Sequence, residues 1–173
     1  NLIEPNKDAY AGVDINEWIY GPGIPTNLNK PVSVRFNTVD AELKKFLGGA
    51  PASSIPATNW STHEWLCFIY QLPEDISVSK MSELDKQFKF TGTGNCEIAD
   101  AWYELAIKRN YSTAYPAIDV FLNSVGRRKF LMPLYKAMMN TGQEAMAKNI
   151  YAKARSGYHY VAQNSLDELV GTK

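Results

Sequence analysis

The sequence predicts an all-α fold of about eight short helices, and three observations carry that expectation. Apolar residues recur at three- and four-residue spacing along most of the chain. No segment sustains the period-two alternation of a half-buried strand. Glycines, prolines and Ser/Thr-x-x-Glu pairs mark where the apolar runs end and begin. Short helices with short connections pack as antiparallel neighbours. The pattern suits either a closed bundle or an α-solenoid, and no exact repeat decides between them.

The elements follow in order. Residues 1–36 hold four of the nine prolines, and Gly21-Pro22-Gly23-Ile24-Pro25 excludes a helix interior or a central strand. The segment reads as a surface linker pinned by Trp18, Ile19 and Tyr20. From about Val39 the pattern turns helical, with Val39, Leu43, Phe46 and Leu47 on one face. Gly48-Gly49 stops that helix, and Pro51 and Pro56 keep the next loop extended. Ser61 with Glu64 three residues on is a capping box. It opens a helix carrying Trp65, Phe68, Ile69 and Leu72, ended by Pro73. Met81, Leu84 and Phe88 predict a helix over 79–88, and Thr91-Gly92-Thr93-Gly94-Asn95 a turn.

Ile98, Trp102, Leu105 and Ala106 predict a strong helix over 96–109. The next spans 111–124, with Pro116 in its first turn, where a missing N–H costs little. A helix over 127–140 presents Phe130, Leu131, Leu134, Tyr135 and Met138, and Pro133 inside it predicts a bend. Thr141 and Glu144 read as a second capping box, before a helix to about Ser156. Tyr158-His159-Tyr160 reads as a loop or short extended piece. Ser165 and Glu168 read as the cap of a last short helix.

At 173 residues the chain suits one domain, or one plus a tail, and buries roughly 70% of its unfolded surface. Lys and Arg number 18, as do Asp and Glu, so there is no basic excess for a general nucleic-acid or anionic-membrane binder. No apolar run approaches a membrane span. Two cysteines, Cys67 and Cys96, argue against a disulfide framework and do not fix a compartment, with the cytoplasm slightly favoured. The chain starts at Asn1 without a signal-like segment, which suggests processing or a piece of a larger polypeptide.

No catalytic centre is expected within the chain. His63-Glu64-Trp65-Leu66-Cys67 comes close to His-Glu-x-x-His, in which two ligands one helical turn apart hold zinc. The fifth position is Cys67, and Lys86 stands where a third, glutamate ligand would follow. The favoured reading is structural: Glu64 in the capping box, Cys67 in the core, His63 on the surface. His159 stands beside two tyrosines and reads as structural. Neither cysteine has an evident neighbouring base. The glycines of 91–95 lack the Lys-Ser/Thr of a phosphate loop.

The stretch Gly126-Arg127-Arg128-Lys129-Phe130-Leu131-Met132-Pro133-Leu134-Tyr135 is different. Three cations open a helix, where they oppose the macrodipole. Free N–H groups and guanidinium donors at such a place suit an anion, above all a carboxylate that Arg holds through two parallel bonds. The alternative is a solvated helix start with arginine stems lying on aromatics.

Asn95-Cys96-Glu97-Ile98, Trp102, Gly126-Arg127-Arg128-Lys129-Phe130 and Pro133-Leu134-Tyr135 together resemble the C-terminal domain of the leukotriene-A(4) hydrolase and aminopeptidase B group of zinc (gluzincin) aminopeptidases. The entry segment Asp14-Ile15-Asn16-Glu17-Trp18-Ile19-Tyr20-Gly21-Pro22-Gly23-Ile24-Pro25 is similar to the stretch leaving that group's catalytic domain. The likeness runs in order along essentially the whole chain. It implies an armadillo/HEAT-like right-handed α-α superhelix. It also implies that 1–36 is an inter-domain linker with the end of a catalytic domain, and that 37–173 is the C-terminal helical domain. In the family the Gly-Arg-x-Lys-Phe segment faces the active-site cleft, so substrate-carboxylate binding would fall to Arg127 and Lys129. Arg128 stands where the relatives have an apolar residue and adds a charge. Zinc, its ligands and the catalytic groups belong to the preceding domain, so the implied partners are that catalytic domain and a peptide substrate.

Two other readings remain at this point. One is a stand-alone α-solenoid that binds a peptide on its concave face. The other is an inactive fragment that associates with a separate catalytic chain. Trp18, Ile19 and Tyr20 beside a proline-rich entry favour a docked domain over either.

Overall fold

The computed structural model describes Pro5, Asp8, residues 12–28 and residues 32–171. The chain divides into two compact units, Asn1–Val34 and Arg35–Lys173. All regular structure among the described residues is helical, in nine α-helices and short 3-10 turns.

In the first unit, residues read as linker contain a short helix, α1 (Ile15–Tyr20). Asp14 caps it by accepting the Glu17 N–H at 3.0 Å. Polar contacts order the chain around it. The Glu17 carboxylate accepts from the Thr26 N–H and hydroxyl, and the Trp18 indole N–H donates to Asn27 at 2.7 Å. Trp18, Ile19 and Tyr20 are exposed.

In the second unit the helices lie close to their expected places. α2 (Val34–Leu47) begins five residues before Val39 and buries Val39, Leu43 and Phe46. α3 (Thr62–Tyr70) starts at the capping box, with both reciprocal bonds between Ser61 and Glu64 formed. α4 (Val78–Phe88) is capped by Ser77 and ends on Lys89 in the left-handed region. α5 (Cys96–Lys108) is capped by Asn95, and nine consecutive or near-consecutive residues between Ile98 and Ile107 are buried. α6 (Tyr115–Ser124) carries Pro116 at its start. α7 (Arg128–Asn140) runs on through Pro133, whose missing N–H leaves the Lys129 carbonyl without its intrahelical donor.

Two expected caps are not formed. Before α8 (Glu144–Ala154) the Thr141 hydroxyl donates back to the Ala137 carbonyl at 2.8 Å, so it extends the end of α7. Gln143 precedes α8 and turns its amide toward the Ile107 carbonyl instead. α9 (Tyr160–Val170) starts at Tyr160, with His159 as its cap. Ser165 therefore lies inside a helix, its hydroxyl donating to the Val161 carbonyl at 3.0 Å.

Alternate helices stack. α5 packs against α3 on one side and α7 on the other, and α7 packs against α9. α6 and α8 pack together as a second row, and α8 also meets α7 and α9. Two rows built from alternate helices are the arrangement of an α-α superhelix. Rings run through the core from Phe46 and Phe68 through Trp65, Phe90 and Trp102 to Tyr111. Near the C-terminal end, the Tyr135 and Tyr158 hydroxyls meet at 3.1 Å, and Tyr158 donates to the Leu122 carbonyl. Arg155 grips the buried Asp167 through Nε and Nη2 at 2.8 and 2.7 Å, tying the end of α8 to α9.

Trp102 sits at the middle of this core, fully buried, with its indole N–H on the Thr91 hydroxyl at 3.0 Å. Trp102→Ala is expected to cost about 3–5 kcal/mol through cavity formation and lost ring contacts, read from denaturant unfolding.

Candidate functional site

The three cations stand at the start of α7, and Phe130 fixes where they stand. Its ring is buried against Phe121 at 6.1 Å, and Phe121 meets Tyr103 of α5 at 5.4 Å. The Arg127 guanidinium lies 5.9 Å from the Phe130 ring centroid, and the Lys129 ammonium 5.3 Å. One buried ring therefore carries two exposed cations, two residues apart in sequence.

Their partners differ. Arg127 is the N-cap of α7 and makes no side-chain capping bond, so no side-chain cap covers the first N–H groups of the helix. Among the described residues it pairs with no carboxylate. Arg128, the additional charge, reaches α9, where its Nε donates to the Ser165 hydroxyl at 3.0 Å. Lys129 reaches α5, where its ammonium donates to both Glu97 oxygens at 2.6 and 2.5 Å. These side chains are 53% and 36% exposed, so the pair is worth at most about 1 kcal/mol.

Glu97 begins a row of acids on α5 with Asp100 and Glu104, spaced to share one face. Glu104 pairs with Lys108 at 2.8 Å. Asp100 is 7% exposed, and its Oδ1 has no hydrogen-bond partner among the described residues. Burial pushes its carboxyl up to about 7, Glu104 and Glu97 add to the rise, and Lys129 opposes it. The same three acids, after burial, raise the Tyr70 hydroxyl on α3. Sequence reading did not single out Asp100, took Ser165 only as a helix cap, and quoted Glu97 only as part of a motif. The partners lie far apart along the chain, and no local spacing marks them.

The near-match to a zinc motif coincides with the capping box of α3. Arg35 donates to both Glu64 oxygens at 3.0 and 2.6 Å, and the Ser61 N–H and hydroxyl also donate to Glu64. The Arg35 bonds and the Ser61 bonds hold the Glu64 carboxyl down to about 2. His63 is exposed, and Cys67 is half-buried near Asp40 and Gln71. Among the described residues no group of three or more His, Cys, Asp or Glu side chains could hold a metal ion. No described helix is long and apolar enough to cross a membrane.

With the geometry in hand, comparison with known proteins is informative. A family model described as leukotriene A4 hydrolase, C-terminal, matches residues 60–170, from just before α3 to the end of α9. The chain belongs to this family. Leucine aminopeptidase 2 of Pyricularia oryzae is 28% identical over 174 residues, covering 95% of this chain and 27% of that protein. Aminopeptidase B of Mus musculus is 22% identical, covering 99% of this chain and 28% of that protein. The structure of native yeast LTA4 hydrolase superposes with a TM-score of 0.74 at 18% identity, over 98% of this chain and 31% of that one. That likeness shows the fold. The chain thus spans between about a quarter and a third of these proteins, and it corresponds to the C-terminal domain of the leukotriene A4 hydrolase-like aminopeptidases.

Two pH-dependent outcomes follow. Glu64 titrates lower folded than unfolded, so its contribution is present at neutral pH and fades as pH falls from about 4.5 toward 2. Glu64→Gln is expected to lower Tm at pH 7, with the gap to the parent chain closing near pH 2. Asp100 has the opposite sign, because its folded carboxyl keeps its proton to higher pH, so ionisation near pH 7 and above destabilises the fold. Asp100→Asn is expected to stabilise by about 1–3 kcal/mol at pH 8, with the advantage shrinking toward pH 4. Lys129→Met should move the Asp100 midpoint, followed by NMR, above its position in the parent chain.

Proposed function

We propose that this domain is the non-catalytic C-terminal part of a zinc metallo-aminopeptidase. In this reading it closes the active-site cleft, and Arg127 with Lys129 binds the free carboxylate of a peptide substrate. The observation that carries the proposal is Arg127: an exposed guanidinium at an uncapped helix start, steadied on Phe130 and unpaired among the described residues. A guanidinium in that state offers two parallel N–H donors to a carboxylate. The nearby helix N–H groups and the Lys129 ammonium add favourable field at the same place.

The proposal extends to the rest of the polypeptide. Residues 1–36 form the connection from the catalytic domain, and residues 37–173 the helical domain. Zinc would be held by the catalytic domain and would supply Lewis-acid chemistry there. This domain's own residues bind and orient: fixing the far end of the peptide limits the positions its reacting end can take. The partners are the catalytic domain of the same polypeptide and the peptide. The family match across α3–α9 supports this reading over a stand-alone scaffold.

In the enzyme carrying both domains, Arg127→Ala is expected to lower kcat/KM about 10- to 100-fold on peptides with a free C-terminal carboxylate. Uncharged aminoacyl chromogenic amides should be turned over at nearly the parent rate. An equal loss on both substrates would sink the carboxylate role.

A further inference from the structure

The Glu97–Lys129 contact has the chemistry of the proposed substrate contact, a carboxylate on the same ammonium. We propose that Glu97 is a specificity-determining residue of the anion site: an internal carboxylate that occupies Lys129 until an incoming carboxylate displaces it. The inference rests on the carboxylate-binding reading of Arg127 and Lys129 and adds a competitor to it.

Four observations carry it. Both Glu97 oxygens face the ammonium, at 2.6 and 2.5 Å, so Glu97 takes the place a peptide carboxylate would take. The pair is exposed, which makes exchange with a dissolved anion inexpensive. Arg127, beside the same Phe130 ring, is unpaired among the described residues, so an arriving carboxylate meets an open guanidinium before Lys129 must let go. The released Glu97 is not stranded. It lies in the first turn of α5, where negative charge is favourable, and its backbone N–H stays held by the Asn95 cap at 3.0 Å.

Such a competitor has a use. Removing an N-terminal residue leaves the C-terminal carboxylate on the product, so two unopposed cations would hold product as firmly as substrate. Glu97 weakens both and favours release. An uncharged C-terminus cannot displace Glu97 and meets a neutral pair.

The test uses the 173-residue chain with N-acetylglycine as probe and N-acetylglycinamide as uncharged control, followed by NMR of the Lys129 ammonium and Arg127 guanidinium. Glu97→Gln is expected to bind N-acetylglycine about two- to fivefold more tightly than the parent chain, as loss of an exposed ion pair implies. The gain should vanish when Lys129→Met is added. Glu97→Asp keeps the charge on the same turn of α5 but is one methylene shorter, and it should move affinity in the same direction. Tighter binding by Glu97→Gln with no change in Glu97→Asp would assign the effect to the general field and overturn the competitor. Equal affinity in the parent chain and both Glu97 variants, with binding still lost in Arg127→Ala, would overturn the competitor and leave the carboxylate site standing. No binding that depends on Arg127 or Lys129 in any variant would overturn both.

Discussion

Burial of α5 between α3 and α7 is the constraint on which the rest of the second unit depends. Most of α5 from Ile98 to Ile107 is withdrawn from water, so the helix cannot rotate or slide without opening apolar surface on two sides. Its Asn95 cap and the Trp102 indole tie it to the turn before it. A helix held this firmly presents its few polar side chains at fixed positions. Glu97, Asp100 and Glu104 are such side chains. Their placement beside α7 is a consequence of core packing, even though their chemistry is electrostatic.

Charge is distributed over the domain in two regimes. Two buried carboxylates are held by several donors each, Asp167 by Arg155 and Tyr151, and Glu64 by Arg35 and Ser61. Those contacts lock one helix to the next, and removing one partner would leave a buried charge. The cations of α7 belong to the other regime. They are exposed; Arg127 and Lys129 lie beside one buried ring, Lys129 contacts Glu97, and Arg128 contacts Ser165. A binding site benefits from that arrangement, because the ring supplies rigid position while water keeps the exchange inexpensive. Asp100 fits neither regime: it is a buried acid whose Oδ1 lacks a partner among the described residues, and it keeps its proton until about neutral pH.

Membership of the leukotriene A4 hydrolase C-terminal family gives this local chemistry a setting. The family match runs over the stacked helices and includes both faces of the α5–α7 contact. Arg128 bonds to Ser165 of α9, away from Glu97 and from Arg127, which is unpaired among the described residues. The extra charge therefore has a structural partner of its own, and it does not crowd the two cations beside Phe130.

What the sequence determined by itself is what neighbouring residues settle among themselves. The Ser61–Glu64 box, the start of α6 at Pro116 and the apolar face of α7 were all readable, because each rests on contacts within one helical turn. The same local rules misread Thr141 and Ser165. Both look like caps in sequence, yet Thr141 bonds back to Ala137, and Ser165 sits within a helix capped by His159 and accepts from Arg128. The Gly-Arg-x-Lys-Phe cations were legible as a stretch, but their states were not. Lys129 and Glu97 stand 32 residues apart, and Arg128 and Ser165 37. Only the tertiary structure decided which cation is paired and which is open among the described residues. A side chain three or four bonds long finds its partner across helices, and the packing of α5, α7 and α9 sets which partners come within reach.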